Sequence, residues 1–186
     1  MIVKDNFLTT KQLDELKLTI NFELKTYGRK FNENDFKNEN DHFGTNNSNL
    51  YYLENEAKNL FLKFLVNNNF FDKKCLSGTN LTLRYHALTS PYISTWHKDR
   101  TLDWEADKID YIGVSYFFSK EWNFTKGGIY LYKKDKESNQ GYYIEPIENR
   151  LIINANDFYH AVTQINDQSF IRHSLQLFIH KEYLLS

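Results

Sequence analysis

Leu13, Leu16, Ile20 and Leu24 recur at helical spacing and lay one apolar stripe along a helix over residues 10 to 26. Thr9 and Gln12 open that helix as a capping box. The stretch from Gly28 to Asn49 is rich in Asn, Asp, Glu and Lys and has no apolar period, so it reads as a solvated loop, with a lid as its other reading. Leu50, Leu53, Ala57, Leu60, Phe61, Phe64 and Leu65 return to helical spacing and predict a second helix, which Asn67, Asn68 and Asn69 stop. From about residue 79 the period shortens to alternation, as in Leu81, Leu83 and Tyr85. Strands are expected at 79–87, 92–98, 111–118, 128–132, 142–147, 150–154, 160–165 and 170–180. Helices gathered ahead of eight strands predict an α+β domain, a jelly roll or small barrel with the helices buttressing one face.

At 186 residues the chain fits one domain, with residues 1–70 as helical support and loop and 79–180 as the β unit. Aromatic residues make up 17%, in keeping with a large packed sheet. The single cysteine, Cys75, excludes an intrachain disulfide. Lys plus Arg is 23 against 24 Asp plus Glu, so no broad field gathers nucleic acid or an anionic membrane. Met1 to Leu13 lacks the layout of a signal peptide and no apolar run approaches the length of a membrane span, which leads us to expect a soluble cytoplasmic protein. Asn46, Asn80 and Asn123 head glycosylation sequons of the kind an Asn-rich chain carries by chance.

The candidate chemistry begins at His97-Lys98-Asp99. On an extended chain an imidazole and a carboxylate two residues apart point to the same side and can share a metal, although such a pair means little alone. His160 opens another predicted strand and offers a second imidazole from across the β unit. Two His and one carboxylate on one face of a metal leave positions open, as non-haem Fe(II) requires, whereas zinc prefers a tetrahedral set. Arg172 follows twelve residues after His160, with Ser174 at the next same-face position, and a guanidinium fork beside a hydroxyl suits a carboxylate. Flanked by Ile171, Leu175, Leu177 and Phe178, Arg172 needs an anionic partner, either a ligand or a structural Asp or Glu.

Over roughly residues 79 to 180 the sequence resembles the 2-oxoglutarate- and Fe(II)-dependent oxygenases, in particular the prolyl 4-hydroxylase-like group. The resemblance rests on Tyr85, on Trp96-His97-Lys98-Asp99, and on the stretch Val114 to Trp122 with Tyr116 inside it. It continues through Gly127-Gly128-Ile129-Tyr130-Leu131-Tyr132, Ile144-Glu145-Pro146, Arg150-Leu151-Ile152-Ile153, His160-Ala161-Val162 and Arg172-His173-Ser174-Leu175. It implies a double-stranded β-helix, jelly-roll and cupin-like, behind N-terminal buttressing helices. It implies His97, Asp99 and His160 as the iron ligands and catalytic centre, and Arg172 as the grip on the distal carboxylate of 2-oxoglutarate. Tyr85 and Tyr116 match tyrosines that help bind that cosubstrate, and Ser174 is placed to assist Arg172.

The activity so implied is hydroxylation of an unactivated C–H bond, with O2 consumed, succinate and CO2 released and ascorbate as an optional stimulant. Asp99 favours hydroxylation over the halogenation that related enzymes with a small residue there perform. A prolyl residue in a peptide or protein is the expected substrate, with a free amino acid or small natural product as the alternative. A non-catalytic metal-binding β-barrel module is a third reading. Gly127-Gly128 reads as a backbone device rather than a ligand contact. Trp96 and Trp122 read as core or rim aromatics and Trp104 as the rim of a substrate loop. His42, His86, His173 and His180 read as ordinary polar histidines, and Lys133 to Glu137 as a solvated hairpin tip.

Overall fold

The computed structural model describes residues 1–27, 29–30, 49–77, 81–98, 111–156 and 158–185, with Arg29 and Lys30 as backbone alone. Helix α1 spans Thr10–Tyr27 and helix α2 spans Glu56–Asn67. The predicted capping box forms, with Gln12 Oε1 accepting from the Thr9 backbone N–H at 3.0 Å and Thr9 Oγ1 accepting from the Gln12 N–H at 3.3 Å. α1 buries Leu13, Leu16 and Ile20, and its fourth buried residue is Glu23. The Asn55 side chain makes no cap for α2. The Glu23 carboxylate takes that role from α1, accepting from the backbone N–H groups of Glu54 at 2.8 Å, Asn55 at 3.1 Å and Ala57 at 3.0 Å.

The strands are β1 (Ile2–Lys4), β2 (Arg29–Lys30), β3 (Asn49–Leu53), β4 (Thr82–Leu88), β5 (Ser94–His97), β6 (Tyr111–Phe117), β7 (Tyr130–Lys133), β8 (Tyr142–Ile144), β9 (Arg150–Ile153), β10 (Tyr159–Val162) and β11 (Arg172–His180). Each of the eight expected segments holds one of them. Leu50 and Leu53 are a correction: they lie on β3, opposite His86 and Leu83 of β4, and not on the second helix. A four-residue apolar run fits either period, and the pairing edge of β4 decides in favour of the strand. Of the predicted Gly28 to Asn49 loop, Arg29 and Lys30 pair with β3 as β2, while residues 28 and 31–48 lie outside the described residues, and the lid reading with them.

The described strands pair antiparallel in two sheets. The larger runs β1-β9-β6-β11-β4-β3-β2 and the smaller β5-β10-β7-β8. Alternation along the large sheet divides it between two layers. Leu83 and Tyr85 of β4, Val114 and Tyr116 of β6, and Leu175 and Leu177 of β11 pack on α1 and α2 in the main core. The intervening residues face the small sheet, where Phe117 and Ile152 meet Tyr130 and Ile144, and Leu88 meets Val162. Among the described residues no helix is long and apolar enough to cross a membrane.

Candidate metal and anion site

The space between the sheets brings together four of the predicted residues, His97, His160, Arg172 and Ser174. β10 pairs with β5 so that His160 and His97 are direct cross-strand partners, with ring centroids 4.3 Å apart. The Nδ1 atom of His97 lies 2.7 Å from the Thr95 carbonyl and that of His160 lies 3.3 Å from the Phe158 carbonyl. A carbonyl only accepts, so each Nδ1 is the donor in its contact, which suits the tautomer whose Nε2 can ligate a metal. Tyr130 stacks on His160 at 5.3 Å and 11°, fixing the second ring from its other face. Asp99 lies outside the described residues, and among those described no group of three or more His, Cys, Asp or Glu gathers.

Arg172 opens β11 and reaches into the same cavity, which His97, His160 and Ser174 also wall. Its side chain is 4% exposed, and Nε has no hydrogen-bond partner among the described residues. A structural Asp or Glu would be the ordinary partner, yet none of the described carboxylates pairs with it. The guanidinium rests on the Phe117 ring, 4.8 Å from its centroid, and the phenols of Tyr92 and Tyr130 act on its charge. Burial pushes its pKa down to about 10, against the small opposing pull of the two phenols. A cation so enclosed, with no described carboxylate paired to it, suits an anionic ligand. The donor set thus fits both groups that the sequence implies, a metal at the imidazole pair and a carboxylate at Arg172.

Gly128 is the device that lets Arg172 lie there. It adopts φ +70°, and a Cβ on it would come 3.0 Å from Arg172 Cδ and 3.2 Å from Ile165 Cγ1. Gly127, at φ +73°, is closed to any side chain by the Gln164 carbonyl, 1.9 Å from where its Cβ would stand.

Tyr85 and Tyr116 require correction, because the structure places both on the helix side of the large sheet. Leu175 pairs with Tyr85 on one side and with Tyr116 on the other, forming a row on the helix-facing surface. Tyr85 exchanges a 2.7 Å hydrogen bond with His173 Nδ1, and Tyr116 donates to Asn149 Oδ1 at 2.9 Å. Desolvation pushes the Tyr85 phenol up to about 12 and raises that of Tyr116 as well. The next row over faces the cavity, where Ser174 pairs with His86 and with Phe117. His86, read from sequence as an ordinary polar histidine, is buried and walls the site. The phenols near Arg172 come from Tyr92, just after Ser90-Pro91, and from Tyr130 in the Gly127-Gly128 stretch. Counting parity outward from Ser174 separates His86 and Phe117 from their neighbours once the strand register is known. A larger cleft, about 530 Å³, lies between α1 and the Tyr85–His173 pair on the far side of the sheet and is lined by neither His97 nor His160.

Trp122 donates its indole N–H to the Gly127 carbonyl at 2.9 Å and packs beside the Leu88 cluster. Trp96 is exposed, under the ammonium of Lys133. Trp104 and His42 lie outside the described residues.

In fold the chain is similar to solved 2-oxoglutarate- and Fe(II)-dependent oxygenases. A prolyl-4-hydroxylase from Pseudomonas putida superposes with a TM-score of 0.65 at 13% identity, over 96% of this chain and 91% of that one. A prolyl hydroxylase from Trichoplax adhaerens, solved with a peptide fragment of the hypoxia inducible factor oxygen degradation domain, superposes with a TM-score of 0.66 at 15% identity, over 97% and 83%. HygX from Streptomyces hygroscopicus, solved with nickel and 2-oxoglutarate bound, gives 0.60 at 8% identity, over 95% and 81%. At these identities the likeness is one of fold. No protein-family model and no curated protein matches the sequence.

Proposed function

We propose that this chain is an Fe(II)- and 2-oxoglutarate-dependent dioxygenase that hydroxylates an unactivated C–H bond, with a prolyl residue of a peptide or protein as substrate. The observation that carries the reading is the buried Arg172, with no described carboxylate paired to it, in the same cavity as the in-register imidazole pair. The two sheets are read as the halves of a double-stranded β-helix, and the peptide carried by the Trichoplax neighbour agrees with a peptide substrate here.

His97 and His160, with Asp99 of the same sequence motif, would hold the metal. Arg172 orients 2-oxoglutarate by pairing with its distal carboxylate, with Ser174 beside it. When bound, Fe(II) supplies the redox chemistry by which one O2 and one 2-oxoglutarate convert R–H to R–OH, succinate and CO2. The Nδ1 contacts with the Thr95 and Phe158 carbonyls suit the ligating tautomer of both imidazoles. Phe117, on which the guanidinium rests, is backed by Ile152 and Ile144, so the anion end of the cavity has an apolar wall.

The test is succinate release with Fe(II) and ascorbate, comparing proline-containing peptides with free amino acids, with mass spectrometry of each product. Peptide-stimulated turnover that adds one oxygen to proline is expected. Stimulation by a free amino acid alone refutes the peptide substrate. Full activity in His97→Ala or Asp99→Ala refutes the ligand assignment.

A further inference from the structure

The inner face of the small sheet extends the imidazole pair into a row of rings, of which the reaction as described uses only the first two. His97 pairs with His160, His160 with Tyr132, and Tyr132 with Tyr142, so four adjacent strands present one ring each at one level. Tyr132 stacks on Tyr142 at 5.2 Å and 23°, and Phe158 lies against Tyr132 at 6.0 Å and 13°. The row begins at the buried imidazole of His160 and ends on the outermost strand, β8, where Tyr142 is 58% exposed. A terminal tyrosine held flat by a neighbouring ring and open to solvent is a surface for stacking another ring or an apolar chain.

Resting on the oxygenase reading, we propose that Tyr132, Tyr142 and Phe158 form the substrate shelf and that its occupant is an extended peptide crossing the small sheet. Neighbouring strands stand about 4.8 Å apart, so Tyr142 lies about 10 Å from His160. An extended chain advances about 3.3 to 3.6 Å per residue, so three residues cover that distance. A substrate presenting a C–H bond beside the imidazole pair therefore places the residue about three positions away on Tyr142. A free amino acid is too short to touch both. The flat, electron-rich shelf favours proline or another ring at that position, since ring C–H groups pack on an aromatic face.

The test measures binding, separately from turnover. Fluorescein-labelled deca-proline carries a ring at every position, and its affinity is read by anisotropy with the protein loaded with Mn(II) and 2-oxoglutarate. We expect Tyr142→Ala to weaken binding tenfold or more and Tyr142→Phe to stay within twofold. Tyr143, its neighbour, is 61% exposed but points to the opposite face, so Tyr143→Ala leaves the affinity unchanged. Equal effects of the two alanine variants, no effect of Tyr142→Ala, or no binding of deca-proline to the wild type at 1 mM each overturn the shelf. A parallel titration of Mn(II) and 2-oxoglutarate separates the failures, because loss there sinks the oxygenase reading, and success there with a failed peptide result sinks the shelf alone.

Discussion

Replacing Arg172 by Met sets folding against function in a way that few core substitutions do. The guanidinium is held at a pKa of about 10 against an ordinary 12.5. At about 1.4 kcal/mol per unit this makes the desolvation cost roughly 3 kcal/mol. Stacking on Phe117 offsets at most about 2 kcal/mol of that, leaving the ligand-free protein about 1 kcal/mol worse off for carrying the charge. The sign follows from burial: a base whose pKa is lowered on folding disfavours the folded state at every pH below about 10, and relief comes only above it. Met fills similar space without the charge, so ligand-free Arg172→Met is expected to melt at the wild-type temperature or about 2 to 4 °C above it. The ligand response runs the other way. With 2-oxoglutarate and Mn(II) at about 100 times the dissociation constant, the wild type gains roughly 3 kcal/mol, or about 6 to 12 °C. Arg172→Met should lose that gain. Differential scanning fluorimetry with and without ligand reads both effects. A ligand-free variant that melts 5 °C or more below the wild type makes Arg172 a structural residue, and one that keeps the ligand shift removes it from the anion site.

Gly128→Ala forces a Cβ to within 3.0 Å of Arg172 Cδ at φ +70°, so isothermal titration should show at least a tenfold loss of 2-oxoglutarate affinity; unchanged affinity refutes the positioning role. Glu23→Ala leaves three N–H groups at the start of α2 without their acceptor and should cost about 3 kcal/mol, read as a melting temperature about 6 to 12 °C lower. Burial, with help from Asp72, pushes the Cys75 thiol up to about 11, so Ellman's reagent at pH 8 should react only after urea unfolding. Reaction within minutes in the native protein overturns that reading.

The elements with a clean period were legible in the sequence. α1 announces itself by its capping box and apolar stripe, and the later strands by alternation. Leu50 and Leu53 were not legible, because a short apolar run satisfies both periods and a partner strand some 30 residues further on settles the matter. The site divides in the same way. Arg172 and Ser174 were legible as a same-face pair because spacing along one strand fixes their mutual facing, whereas the pairing of His97 with His160 rests on a register between β5 and β10 that the sequence alone does not fix. Tyr85 and Tyr116 were misread because facing across strands depends on register, and one residue of difference exchanges the cavity side for the helix side. Tyr85 and His86 thus differ in role through parity alone. The part played by Gly128 was half visible, since glycine marks an unusual backbone but does not name the side chain that passes over it.

The Glu23 carboxylate gives the first helix a significance beyond that of a prop. The opening turn of α2 has no acceptor of its own from Asn55, and it borrows one from a residue more than 30 positions earlier in the chain. The first turn of α2 is therefore not self-sufficient. A truncation that begins after α1 and keeps every strand of the β unit also removes the acceptor on which the first turn of α2 depends. The smallest fragment expected to fold cooperatively therefore reaches back through α1.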